Sequence, residues 1–578
     1  MPNLKTISMI LFATCVFVLC SSAAYGSSVL VAVVTNGPGS GAVVSSPVGI
    51  NCPQICSAAF SSGTAITLTE TSSSGSTFAG WFGSCSGTGA SCNITPNADT
   101  TVTATFNGAG LSSLTHIIFM AQENRSLDNY FGVLRAYWAN NHYRDQSFDG
   151  LPQANPASGA PPLQGPVPAL PGCNPNDPPP SDCVWDTSNL VKSYHFNTVC
   201  NENTSPSWNE AHVDWNFYDQ VGRYPPAKNN GFVKTAAHDA RTNYPSPFYD
   251  VNGLRAMGYW QGTDLNYYYF MASNFGTSDR WFHPLMSRTN PNREYLLAAT
   301  SHGYAYPNGS DANDTALLNV PTIFQRLQSA GISWKIYVNP QGTKCSGPPY
   351  AASCLIKFSY IHNFTFYKTI LSSYPNKIAP ISQYFTDLNN GTLPSVALIE
   401  PASNAGLDEH GSDTDKVGTN VQKGAKYVSS LINALMKSSS WKSSAFIFTY
   451  DESGGMYDHV SPQKTVSPDG IKPVDLHPGD VCTKITGPTC DFVYTGYRVP
   501  LIVISPYAKK NYVSHTVADY TAILKFIETR FHLAALTNRD AAQMDMTEFF
   551  SFATPSWMTP PTPPTQNTSN SCYLTHVP

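Results

Sequence analysis

The sequence predicts an α/β fold, a mostly parallel sheet sandwiched by helices, preceded by a small all-β domain. Three observations predict it. Short apolar runs, among them residues 117–121 and 445–450, stop at polar residues, the pattern of buried parallel strands. Helical stretches alternate with those runs, which implies strands joined by crossover helices. Residues 27–108 differ: their short β-branched runs are punctuated by Gly, Ser and Asn and carry almost no charge.

In chain order, residues 1–26 read as a secretory leader. Lys5 supplies the basic start, "ISMILFATCVFVLC" the apolar core and "SSAAYG" the small residues for cleavage, after Ala24 or Gly26. The rival reading, a retained anchor, needs about 20 apolar residues, and this run is shorter. Leu19 is a poor neighbour for lipidation at Cys20. The expected location is therefore secreted, extracellular or periplasmic. Loss of the leader removes Cys15 and Cys20 and leaves 12 of the 14 cysteines. Close spacing suggests disulfides at Cys52/Cys56, Cys85/Cys92, Cys173/Cys183, Cys345/Cys354 and Cys482/Cys490. Cys200 and Cys572 are paired only by elimination.

Within 27–108, "SVLVAVVT", "AITLTET" and "TFAGWFG" are strand-like. The string "GSGAVVSSPVGINCPQICSAAFSSGTAITLTETSSSGSTFAGWFGSCSG" resembles a bacterial β-repeat module of secreted and surface proteins. A spacer is the plainer reading of this domain, adhesion the alternative.

The second domain is expected over 112–540. Its first strand, 117–121, ends in Gln122, Glu123 and Asn124. The sequon "NRS" at Asn124 falls in the interior, where a glycan has no room. Residues 150–182 carry 11 prolines and form a long irregular insertion that could roof a cleft. "SPSWNEAHVDWNFYDQ" (205–220) is aromatic-rich and holds His212. Residues 267–300 read as a helix, a short strand near "TSDRWF", and the loop "SRTNPNR" opening a second helix, with Thr289 just before it. A helix N-terminus is a natural seat for phosphate. A helix stopped by Gly331 and a strand fill 322–338, and the strand 395–401 ends in Glu400. Asp408, Glu409 and His410 follow in a loop. Residues 418–438 form an amphipathic helix striped by Val421, Val428, Leu431, Ile432 and Leu435. The 445–450 strand delivers Asp451 and Glu452, then Gly-Gly, Asp458 and His459. A strand in 498–510 and a helix over 518–531 complete the domain, and the Pro/Thr-rich tail, 541–578, is extended.

Carboxylates and an amide at strand ends suit a hard or borderline divalent cation, its identity unknown. A Thr289 hydroxyl beside that cation becomes a nucleophile. His212, His410 and His459 could hold phosphate oxygens or protonate a leaving group. Together they describe phosphoryl transfer through a phosphothreonine. Each piece also has a plainer reading: "ENR" as a polar loop, Thr289 as a helix cap, the whole as a sugar- or calcium-binding module.

The segments "HIIFMAQENRSLDNYFG", "SRTNPNREYLL", "DEHGSD", "TYDESGGMYDHVSP" and "GYRVPLIVISPYAKKNYVSHTVADYTAILKFIE" resemble, in order, the motifs of the bacterial phosphoesterase family, over about 114–532. That family includes phospholipases C and a secreted acid phosphatase on an alkaline-phosphatase-like fold. The resemblance implies Glu123, Asn124, Thr289, Asp451 and Glu452 as metal ligands and Thr289 as nucleophile. It implies His212, His410 and His459 near the phosphate. Asn129 stands where the family has His, "TNPNR" replaces "TWPNR" and "DESGG" replaces "DENGG". The implied substrate is a phosphate ester or phospholipid. The family's longer phospholipases carry C-terminal β-domains and twin-Arg leaders that this sequence lacks, which favours a phosphatase or small phosphodiesterase. Aromatics in 205–220 and 259–270 keep a lipid substrate and transient membrane contact in view. A net charge of -5 without a basic footprint speaks against nucleic acid. The alternative is a non-catalytic surface or adhesion protein carrying a degenerate phosphoesterase domain.

Overall fold

Near-continuous apolar runs become central strands because both faces of a parallel sheet are covered. The computed structural model describes residues 27–576 except 38, 40, 74–75, 108–109, 156–164, 175, 179–180, 223–226, 243–247, 308–316, 342–344, 413–418 and 485–486. The expected leader, part of the proline-rich insertion and the end of the 404–413 loop lie outside the described residues.

The chain divides into two compact units, Met1–Gly110 and Leu111–Pro578. The first holds two four-stranded sheets. Alternation along Ser28–Asn36 turns Val29, Val31 and Val33 inward, where Val31 and Val33 join a core with Leu68, Trp81, Val102 and Phe106. Disulfides Cys52–Cys56 and Cys85–Cys92 lie in this unit.

The second unit is built on an eight-stranded sheet. Its order is Ile378–Pro380, Trp334–Val338, Val396–Ile399, His116–Gln122, Ser444–Tyr450, Leu501–Ile504, Gly276–Ser278 and Tyr512–Ser514. All these strands run one way except Leu501–Ile504, which is antiparallel to both neighbours. Helices gather in two groups. Val421–Lys437 packs with Asn266–Asn274 and Ile381–Asn390, while Thr289–Ala298 packs with Ile323–Ser329 and Ala522–Phe531. The expected stripe on Val421–Lys437 is buried throughout. The α/β class and the all-β region are as the sequence predicts.

Several elements differ from expectation. The insertion is not wholly irregular: Ala169–Cys173 and Trp185–Lys192 pair as a hairpin closed by Cys173–Cys183. Helices Trp208–Trp215 and Phe232–Thr242 follow it. The aromatics that suggested membrane contact are mostly core: Trp208, Trp215, Trp260, Tyr267, Tyr268 and Tyr269 are buried, while Tyr218 alone of those in 205–220 is largely exposed, at 66%. The tail is extended and packed. Asn266 donates to the Thr565 carbonyl, Gln566 accepts from Tyr267 N, and Cys572 bonds Cys200. With Cys345–Cys354 and Cys482–Cys490, all six expected disulfides form.

Candidate metal and phosphoryl site

Register brings the carboxylates together. Gln122 and Tyr450 are partners on adjacent parallel strands, and Asp451 N donates to the Gln122 carbonyl at 3.0 Å. Glu123–Asn124 and Asp451–Glu452 therefore leave the sheet side by side at its C-terminal edge. Asn124 adopts the left-handed region, φ 63°, which Asn tolerates better than most residues. Its main-chain N donates to Asp451 Oδ1 at 3.2 Å, and Arg125 N donates to the Glu452 carbonyl at 3.0 Å. Gly454, φ 69°, lets the returning loop pass: a Cβ there would sit 2.6 Å from the Asn124 carbonyl oxygen.

Thr289 is the first residue of helix Thr289–Ala298, and Arg288 is its N-cap. The expectation that Thr289 precedes the helix is thus shifted by one residue. Its half-buried hydroxyl is not spent on capping and donates to Glu123 Oε2 at 3.4 Å. One helical turn on, buried Arg293 reaches the same cluster. Nη2 donates to Glu123 Oε1 at 2.8 Å and Nε to Asp451 Oδ2 at 3.2 Å. The Tyr360 ring covers the guanidinium at 4.5 Å, and its hydroxyl donates to Glu123 Oε1 at 3.2 Å. Arg293 and Tyr360 were not singled out from sequence. Arg293 had a signal, its i+4 spacing from Thr289; Tyr360, in an irregular segment, had none.

The electrostatics are unbalanced. Burial alone would raise Glu123, but Arg293 and then His410 hold its carboxyl below the usual range. Asp451 is pushed well above that range by burial and then by Glu123, and Glu452 by burial and then by Asp451. Asn124 Oδ1 and Glu452 Oε1 are buried with no hydrogen-bond partner among the described residues. Three carboxylates, one of them with an orphaned oxygen, an orphaned Asn124 Oδ1 and a single guanidinium fit a hard divalent cation.

The three histidines separate. His410 is half-buried, lies within electrostatic reach of Glu123 and Asp408, and sets Nδ1 2.6 Å from the Gly411 carbonyl. His212 is fully buried on Trp208–Trp215. Its Nδ1 donates to the Trp208 carbonyl at 2.6 Å, and burial lowers its pKa to about 4. That leaves a neutral Nε2 with a lone pair and no proton, buried with no hydrogen-bond partner among the described residues. His459 stands in an ion-pair setting. Nδ1 lies 2.6 Å from Asp128 and Nε2 3.3 Å from Asp149, so both ring nitrogens are committed to carboxylates.

Among the described residues, Asp128, Asp458 and His459 bring ligand-type atoms within 4.8 Å of one another. Arg498 already supplies the cation there, its Nε 2.9 and 3.1 Å from Asp458 and its Nη2 3.1 Å from Asp128. A metal would have to displace a buried guanidinium, so we read this trio as an ion-pair network.

The site around Glu123 offers a place for a cation with a hydroxyl beside it, the equipment of a hydrolase of phosphoric esters. Residues 114–534 match the Phosphoesterase family, and the chain belongs to that family. Residues 33–110 match the divergent InlB B-repeat domain. Phospholipase C B of Mycobacterium tuberculosis is 28% identical over 482 residues, covering 77% of this chain and 79% of that one. The non-hemolytic phospholipase C of Burkholderia pseudomallei is 28% identical over 493 residues, covering 78% of this chain and 61% of that one. A solved protein of the alkaline phosphatase superfamily from Vibrio parahaemolyticus is 11% identical with a TM-score of 0.28, covering 72% of this chain and 78% of that one.

Proposed function

We propose that this protein is a secreted, metal-dependent phosphoesterase that hydrolyses phosphate esters through Thr289, in the manner of a phospholipase C or an acid phosphatase. One observation carries the reading: a half-buried threonine hydroxyl at a helix N-terminus donates to one of three buried carboxylates, a cluster that holds the orphaned Glu452 Oε1 and adjoins the orphaned Asn124 Oδ1. Glu123, Asn124, Asp451 and Glu452 would hold the cation, with Thr289 beside it. When bound, a divalent cation supplies Lewis acidity that favours the alkoxide over the hydroxyl.

The chain's own residues account for the rest. Glu123 orients the Thr289 Oγ–H. As Thr289 Oγ attacks phosphorus its proton passes to Glu123 Oε2, the carboxylate oxygen it already faces; the ester P–O bond breaks, and the leaving oxygen takes a proton from water or from His410. A water then cleaves the phosphothreonine and restores the hydroxyl. The N-terminal end of Thr289–Ala298 favours the phosphoryl oxygens through its dipole. Arg293 locks Glu123 and Asp451 and keeps their repulsion in check. The phospholipase C relatives support a phospholipid or other phosphate ester as substrate. Six disulfides support an oxidising compartment.

The test is hydrolysis of p-nitrophenyl phosphate and p-nitrophenyl phosphorylcholine by wild type and Thr289→Ala. Loss of both activities in the variant is expected, as is loss on chelation restored by one particular cation. A Thr289→Ala protein working at the wild-type rate sinks the nucleophile assignment.

A further inference from the structure

A cavity of about 230 Å³ adjoins the proposed site. It lies along the C-terminal edge of the same sheet, where Asn339 follows strand Trp334–Val338 and Pro401 lies just past Val396–Ile399. Asn290, the neighbour of Thr289, lines it, and so does Tyr360, which donates to Glu123. The cavity and the proposed phosphoryl position thus share a wall.

Its lining has a definite chemistry. No carboxylate is present, Lys357 and His362 supply basic groups, four asparagines, among them Asn290 and Asn339, supply amides, and Phe358 and Tyr360 supply rings. Lys357 is exposed and has no carboxylate or hydrogen-bond partner among the described residues. The Tyr360 ring already faces the Arg293 guanidinium.

We propose that this cavity receives the retained substituent of a phosphodiester and selects a polyhydroxylated headgroup, of the inositol kind, over a quaternary ammonium. The inference rests on the phosphoesterase reading of Thr289. Quaternary ammonium groups are held by open aromatic faces. Here the Tyr360 face is taken by a cation, Phe358 is left as a single ring rather than an aromatic cage, and the free charge, Lys357, repels another cation. Amides both donate to and accept from hydroxyls. The volume is below the range of about 300–1,000 Å³ usual for drug-sized ligands, so it fits a headgroup rather than acyl chains.

The experiment uses the full chain, supplied with the activating cation. Three chromogenic substrates share the p-nitrophenol leaving group: p-nitrophenyl phosphate, p-nitrophenyl phosphorylcholine and the p-nitrophenyl diester of myo-inositol 1-phosphate. We expect kcat/KM for the inositol diester to exceed that for the choline diester at least tenfold. Lys357→Glu, at an exposed position, should shrink that ratio at least tenfold. A choline diester cleaved as well as the inositol one overturns the inference, and so does a ratio unmoved by Lys357→Glu. Turnover of p-nitrophenyl phosphate with neither diester cleaved overturns it while the Thr289 reading stands. No turnover of any of the three removes both.

Discussion

Replacing His459 with glutamine separates two roles for that residue. In the fold its imidazolium sits between Asp128 and Asp149, with a side-chain exposure of 18%. Burial works against the charge, but Asp128 outweighs it, and the pKa rises to about 9 from 6.5. That rise corresponds to about 3.4 kcal/mol, at about 1.36 kcal/mol for each tenfold gain in proton affinity. Residual solvent contact trims this to about 3 kcal/mol. Because the folded-state pKa is raised, this stability is fully present below pH 6.5 and is lost as pH rises through 9. Guanidinium unfolding of wild type and His459→Gln should therefore differ by about 3 kcal/mol at pH 6 and converge near pH 10. Activity per folded molecule toward p-nitrophenyl phosphate should stay within a few-fold of wild type. An equal stability loss at both pH values refutes the ion-pair argument. A loss of several orders of magnitude in kcat with stability unchanged would return His459 to the phosphate.

Three further outcomes follow from the same geometry. Chelated protein should lose stability as pH rises from about 4 toward neutrality, because Asp451 and Glu452 have raised folded-state pKa values and bind protons more tightly than in the unfolded chain. Saturating the activating cation at about 100 times its Kd should restore about 2.7 kcal/mol at pH 7, read as a thermal shift; no shift with any divalent cation counts against the site. Arg293→Lys trades a fork that holds two carboxylates for a point charge, so kcat/KM should fall more than tenfold; a change under twofold refutes the positioning role. Gly454→Ala places a methyl 2.6 Å from the Asn124 carbonyl at φ 69° and should cost about 2–3 kcal/mol while weakening metal affinity in a titration; unchanged affinity shows that the loop contact does not set Asn124.

The elements most legible in the sequence were those whose burial is symmetrical. Ser444–Tyr450 is buried at every position, and its uninterrupted apolar run reports that. Ile378–Pro380 and Tyr512–Ser514 escaped because three-residue strands at the two edges of the sheet carry no readable period. Trp208–Trp215 escaped because its aromatics were read as surface features. The site was half legible. Strand-end carboxylates announce themselves by where the apolar run stops, so Glu123, Asp451 and Glu452 could be picked out. His212 and His410 bond the nearby Trp208 and Gly411 carbonyls, but what His459 touches lies far away in sequence. His459 meets Asp128 and Asp149 from more than 300 residues earlier, and nothing in "YDHV" discloses either.

The same asymmetry explains how the site is held. Glu123 and Asp451 are 328 positions apart in the chain but one position beyond a registered pair, Gln122 and Tyr450. Register in a buried sheet is strongly specified, since a one-residue slip would exchange the two faces of each strand. The strands thus set the spacing of the carboxylates without help from a ligand. Thr289 and Arg293 come from one helix and one face, so the hydroxyl and the balancing cation move together. Asn124 is the exception: its left-handed backbone depends on the passing Gly454 loop and on Arg125, whose Nη1 donates to the Asn124 carbonyl at 3.0 Å. Rigid elements therefore place the charges, and a loop contact places the amide. The orphaned Asn124 oxygen is thus the proposed ligand whose position is most open to tuning by substitutions outside the site.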